Sequence, residues 1–219
     1  MAKLFKNNGL TIVLMLLFLA SILGQWISGW MVENEELARH GEETLSLAAF
    51  AVDPQFLSSV FENWESEFLQ MSAYVVLTAM LIQKGSAESR DPDDPLRDEN
   101  LASQAHKPGA PRILMGGPAA RWLYAHSLGL ALFTLFLFSF GLHWWNSADS
   151  AAEEALRHGD TPPSHLAYLG DPQLWFESFQ NWQSEFLSTA LLVLLSIWLR
   201  QRESPESKAV ASSHESTGA

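Results

Sequence analysis

Apolar positions along the chain fall in four blocks, Leu10 to about Trp30, Phe68 to Ile82, Leu128 to Trp145 and Phe186 to Leu199, each almost free of charge. A block of this length comes close to spanning about 30 Å of hydrocarbon once flanking residues join the helix. The pattern predicts an all-α, polytopic membrane protein with transmembrane helices over about 10–30, 64–83, 126–146 and 182–201. Between the blocks the sequence is strongly polar.

The blocks belong to one unit written twice. A shift of 118 positions superposes Lys3 to Arg90 on Arg121 to Lys208 without a gap, with 31 identities in 88 pairs. The densest match is Phe61-Glu62-Asn63-Trp64-Glu65-Ser66-Glu67-Phe68-Leu69 against Phe179-Gln180-Asn181-Trp182-Gln183-Ser184-Glu185-Phe186-Leu187, seven of nine identical. Each unit holds two apolar blocks, so the second unit enters the membrane from the same side as the first. The copies are expected to be parallel, related by a pseudo-twofold axis along the membrane normal, in a four-helix bundle. The expected organisation is repeat 1 over 1–90 with an extracytoplasmic helical loop at 31–63, and a flexible linker over 91–120. Repeat 2 follows over 121–208 with its loop at 147–181, then a disordered tail over 209–219.

Local punctuation supports helices outside the apolar blocks. Asp53-Pro54 and Asp171-Pro172 place a capping carboxylate before a Pro at the first helical position. Unbroken helix from Pro54 to Lys84 would rise about 46 Å, more than the hydrocarbon thickness, so its first ten or so residues would stand outside or lie along the surface. The Glu-Glu-x-x-Arg-His-Gly stretches, Glu35 to Gly41 and Glu153 to Gly159, read as helical turns stopped by glycine.

Charge fixes the orientation. The N-terminus, middle loop and tail carry eleven Lys and Arg, and the two other loops carry only Arg39 and Arg157. Both termini are therefore expected in the cytoplasm. Seven of the nine Trp residues, Trp26, Trp64, Trp144 and Trp182 among them, then lie near the outer boundary as interface anchors. The net charge of −12 argues against nucleic acid as a partner, and the absence of Cys excludes disulfides, thiolate metal sites and Cys nucleophiles. Lipid is the expected partner; a protein partner or a second copy is compatible with the sequence.

Polar residues inside apolar helices are the natural place to look for function. At 100° per residue Asn63, Ser66 and Glu67 share a face, and Asn181, Ser184 and Glu185 share its counterpart. With Gln25 and His143 at similar depth on the first helix of each unit, they are the candidate polar or ion site. One reading is a vestibule binding a proton or cation beneath an acidic outer face; the other is an interhelical clamp that sets helix register, with the outer loops docking a partner. A metal held by both glutamates and His143 is the weakest reading, because the repeat places Gln25 where a second His would be needed. No phosphate-binding loop, nucleophile elbow or catalytic His cluster is present, so neither enzyme activity nor a metal or other cofactor is expected.

With Asn8-Gly9-Leu10-Thr11, Gly24-Gln25, the paired Phe-(Glu/Gln)-Asn-Trp-(Glu/Gln)-Ser-Glu-Phe-Leu strings and Gly85-Ser86-Ala87-Glu88-Ser89, the chain resembles a family of bacterial four-helix inner-membrane proteins known only as a domain of unknown function. Arg90 stands where the family pattern has Lys, with the charge kept. The resemblance implies residence in the bacterial plasma membrane and no particular chemistry.

Overall fold

The computed structural model describes residues 2–91 and 100–218. The fold is all-α, 69% helical, with no strand among the described residues. In chain order the helices are α1 (Ala2–His40), α2 (Leu47–Phe50), α3 (Pro54–Met80), α4 (Leu101–Gln104), α5 (Pro118–Ala125), α6 (Ser127–His158), α7 (His165–Tyr168) and α8 (Pro172–Leu195), with a 3-10 turn at Arg112–Met115. The run Pro92-Asp93-Asp94-Pro95 and Arg97, read above as part of the linker, lie outside the described residues.

Among the described residues, two helices are long and apolar enough to cross a membrane, Lys6–His40 and Ser127–His158. Leu10, Leu14, Leu16 and Leu17 on α1 and Leu128, Leu137 and Phe138 on α6 are all more than half exposed. Such a density of solvent-facing apolar side chains is unusual for a soluble surface. In both helices the apolar block and the following polar stretch form one continuous rod, where the sequence suggested a separate helical turn.

Equivalent repeat positions adopt equivalent local structure. α1 is kinked at Asn8 (φ −132°, ψ 18°), and the break between α5 and α6 falls at His126 (φ −110°, ψ 6°), its counterpart 118 positions on. Gly41 and Gly159 take φ of +74° and +76°. The amides that follow them, Glu42 and Asp160, reach back to Leu37 O and Ala155 O at 2.9 and 2.8 Å. A glycine in the left-handed region is the standard C-terminal stop, because any Cβ there costs about 1–2 kcal/mol. Asp53 Oδ1 accepts from the Gln55 amide (3.0 Å) and Asp171 Oδ1 from the Gln173 amide (2.8 Å), capping α3 and α8.

The same agreement continues at the exits. α3 ends at Met80, not Lys84, because the exit segment folds on itself. The Gln83 amide donates to Ser89 Oγ (3.0 Å) and the Glu88 amide to Ser86 Oγ (3.1 Å). The second copy repeats both contacts with Gln201 to Ser207 (2.9 Å) and Glu206 to Ser204 (3.2 Å). Gly85 (φ +87°) and its counterpart Glu203 (φ +66°) both sit in the left-handed region.

The chain divides into two compact units, each drawing on both repeats. Residues 1–60 and 142–168 form the first. In it Trp26 Nε1 donates to Leu47 O (3.1 Å) and Trp144 Nε1 to His165 O (2.8 Å), so each indole ties its helix to the short helix that follows in its own repeat. Phe50 packs on Phe56 with ring centroids 5.2 Å apart. Gly29 lies beneath that ring, where a Cβ would sit 3.0 Å from Phe50 Cε1. Ser58 and Ser147 share a buried hydrogen bond of 2.5 Å.

Residues 61–141 and 169–219 form the second unit. Leu174 is fully buried, Leu132 nearly so, and Ser86 Oγ meets Ser196 Oγ at 2.9 Å. The expected linker is partly structured. Asn100 caps α4 by accepting from the Ser103 amide (3.1 Å), and Ala105 and Leu114 are buried. Residues 209–218 turn back on the exit of the first repeat, where the buried Lys208 donates to Gly85 O and Ser216 O.

Candidate functional site

The repeated motif enters the second unit asymmetrically. On α3 the buried members are Glu65 and Ser66, whereas Asn63 and Glu67 are exposed. Ser184 on α8 is exposed, and Asn181 and Glu185 are half-buried. The inward face of α3 therefore lies nearly half a turn from the one through Glu67. The physical reason is that carboxylates at 62, 65 and 67 leave several faces of this helix able to present one, so neighbouring helices decide which is buried.

The buried Glu65 and the half-buried Glu62 are held by the other copy of the motif. Asn181 Nδ2 donates to Glu62 Oε1 (2.5 Å) and Trp182 Nε1 to Glu65 Oε1 (3.1 Å). Further along, Gln70 Nε2 donates to Thr189 Oγ1. Ser66 and Ser184 hydroxyls do not cross between helices; each donates to its own helix, to Asn63 O and Asn181 O, both at 2.8 Å. Glu67 and Glu185 interact electrostatically as like charges. Charge-assisted hydrogen bonds from an amide and an indole to a largely dehydrated carboxylate are the features of a helix clamp.

Glu62 and Glu65 are absent from the site predicted by sequence, yet a signal was present. They are the two positions of the nine at which the copies differ, with Gln180 and Gln183 as their exposed counterparts. At both positions the Glu copy is the one that accepts a hydrogen bond from the other helix.

Gln25 and His143 belong to the first unit. Gln25 Nε2 donates to Ser59 Oγ (3.1 Å), and His143 is fully buried. Trp64 packs edge-on against Phe61 with centroids 5.4 Å apart.

The first unit holds a cleft of about 380 Å³ lined by residues 33–55 of the first repeat and 150–158 of the second. Six carboxylates line it, Glu33, Glu36, Glu42, Asp53, Glu153 and Glu154, with His40 and His158; Arg157 is the one guanidinium among the lining residues. Glu36 and Glu154 are repeat mates, as are His40 and His158. The two arginines have parted ways. Arg39 pairs with Glu35 on its own helix in solvent (2.5 Å), a contact of small worth. Arg157 reaches Glu42 (3.5 Å) and Glu33 (3.9 Å).

Glu33 is 6% exposed. Burial first, then the charge of Asp53, pushes its carboxyl above the usual range, against the opposing effect of Arg157. Burial disfavours the ionised form, and a neighbouring carboxylate adds to it. The Glu33 carboxyl therefore takes up a proton more readily than a solvated one. Sequence reasoning counted the acidic outer face but not the assembly, since Glu33, Asp53 and Arg157 come together only through folding.

Neither comparison with curated proteins nor comparison with solved structures gives a match. A family model matches residues 1–219, and the chain belongs to the family described as a domain of unknown function (DUF6766).

Proposed function

We propose that the chain is a non-enzymatic, four-span plasma-membrane protein of bacterial type with both termini in the cytoplasm, and that its acidic outer cleft binds cations or protons. In this reading α1 and α6 are joined in the bilayer by the C-terminal parts of α3 and α8, one pair per parallel repeat. The observation that carries the binding reading is Glu33, a buried carboxylate with a raised pKa in a cleft of six carboxylates and one arginine. Such a site lowers its energy by taking up positive charge.

The clamp reading is favoured for the repeated motif itself by the pairs Asn181 with Glu62 and Trp182 with Glu65. The two roles are compatible, because the motif fixes helices while the cleft meets the outside. Thermal unfolding of the detergent-solubilised protein with Ca²⁺, Mg²⁺ or a polyamine tests the binding role. A cation at ten times its Kd stabilises by about 1.4 kcal/mol. The shift should disappear in Glu33→Gln/Asp53→Asn, and a wild-type protein whose stability ignores every cation and pH change across pH 5–8 would sink the reading.

A further inference from the structure

The C-terminal segment carries a device that the cleft and the clamp do not use. Lys208 is 2% exposed. Its ammonium lies within hydrogen-bond reach of four main-chain carbonyls, which share its three N–H donors: Gly85 (2.5 Å), Ser216 (2.9 Å), His214 (3.2 Å) and Ser213 (3.3 Å). Three come from the tail and one from the exit of the first repeat, 123 residues away. All lie in the second unit. The Gly85 amide donates to Thr217 Oγ1 (3.0 Å) and the Gly218 amide to Ser86 O (2.9 Å), so the tail is also bound through its main chain. Arg200, just beyond α8, donates to Ser212 O (3.3 Å) and Ser213 O (3.5 Å), and His214 Nδ1 lies 3.1 Å from Ile197 O. The tail thereby touches the exits of both repeats.

We propose that residues 208–218 form an intramolecular clasp, keyed by the Lys208 ammonium in a carbonyl cage, that ties the exits of α3 and α8 together and opens when that charge is removed. The cage suits a compact ammonium with three donors in a cone; the planar guanidinium of Arg has a different shape and fan of donors. The repeat puts Arg90 at the equivalent place, and Arg90 is exposed. Burial and the Arg200 charge both work against the ammonium and lower its pKa. The carbonyls offset that cost, so the cage without its charge has several dehydrated acceptors and no donor. Gly85 is fitted to the clasp. A Cβ on it would lie 2.9 Å from His214 O, on a backbone already at φ +87°.

Hydrogen–deuterium exchange on the full chain in lipid nanodiscs tests this. In Lys208→Gln, protection of 85–90 and 209–218 should fall at least tenfold while 33–60 keeps its wild-type protection. Lys208→Arg should not restore it, and Arg90→Gln should leave it unchanged. In Lys208→Gly, millimolar n-butylammonium, which replaces the missing side chain, should return protection to both segments. An unprotected tail in the wild type, unchanged exchange in Lys208→Gln, uniform loss across the chain, or failure of n-butylammonium to act on Lys208→Gly would each overturn the clasp.

Discussion

Removing the positive charge from the acidic cleft should expose how strongly its carboxylates repel one another. In Arg157→Gln, Glu33 loses the one guanidinium among the lining residues while remaining 6% exposed beside Asp53. Breaking a fully buried ion pair costs about 3–5 kcal/mol. Arg157 and Glu42 are 41% and 40% exposed, and the Glu33 contact is 3.9 Å long. Screening and distance reduce the expected cost to about 1–2 kcal/mol. For a chain of this size that corresponds to a fall in Tm of about 3–6 °C. Glu33→Gln removes the buried charge that Arg157 neutralises, so the double variant should recover most of the loss, with a coupling of about 1 kcal/mol in a double-mutant cycle. The assay is thermal unfolding in detergent at pH 7.5 and low salt. Additive effects, or an Arg157→Gln variant as stable as the wild type, would refute the idea that Arg157 offsets the charge of Glu33 in this cleft.

The pH dependence follows from the same group. A carboxyl whose folded pKa is raised contributes stability that is fully present below its unfolded pKa and lost as pH rises through the folded one. Lowering the pH from 7.5 towards 5 should therefore raise Tm in the wild type and less so in Glu33→Gln; equal slopes would contradict it. In the clamp, Glu65→Ala strands the Trp182 indole donor and should cost about 1–3 kcal/mol, whereas Gln183→Ala at the exposed equivalent should be near neutral, as read by chemical denaturation. Gly41→Ala and Gly159→Ala should each cost about 1–2 kcal/mol, because both glycines have φ near +75°. Gly24→Ala, in open space within α1, should gain up to about 1 kcal/mol; a loss there would show a close contact at that face.

Features set by neighbouring residues were legible in the sequence. The caps at Asp53 and Asp171 and the glycine stops at 41 and 159 depend on a few adjacent positions, and the repeat displays each of them twice. The kinks at Asn8 and His126 depend equally on local backbone, but no residue type marks them. What could not be read is which face of α3 turns inward. Residues 62, 63, 65, 66 and 67 are all polar, so periodicity gives no unique stripe, and Glu67 was favoured over Glu62 and Glu65. The clasp was also illegible, because a Ser- and Glu-rich tail looks solvated until Lys208 meets Gly85 O across 123 residues. The cleft has the same origin, in that Arg157 reaches Glu33 and Glu42 from the other repeat.

The proposed parallel pair of repeats puts the acidic cleft outside the membrane and the repeat exits inside. Because the chain has no native Cys, single cysteines report sidedness directly. In intact cells a membrane-impermeant maleimide should label Ser150→Cys, at the cleft, and should label Ser103→Cys, in the middle segment, only after permeabilisation. Labelling of Ser103→Cys from outside, with Ser150→Cys protected until the membrane is opened, would contradict the account.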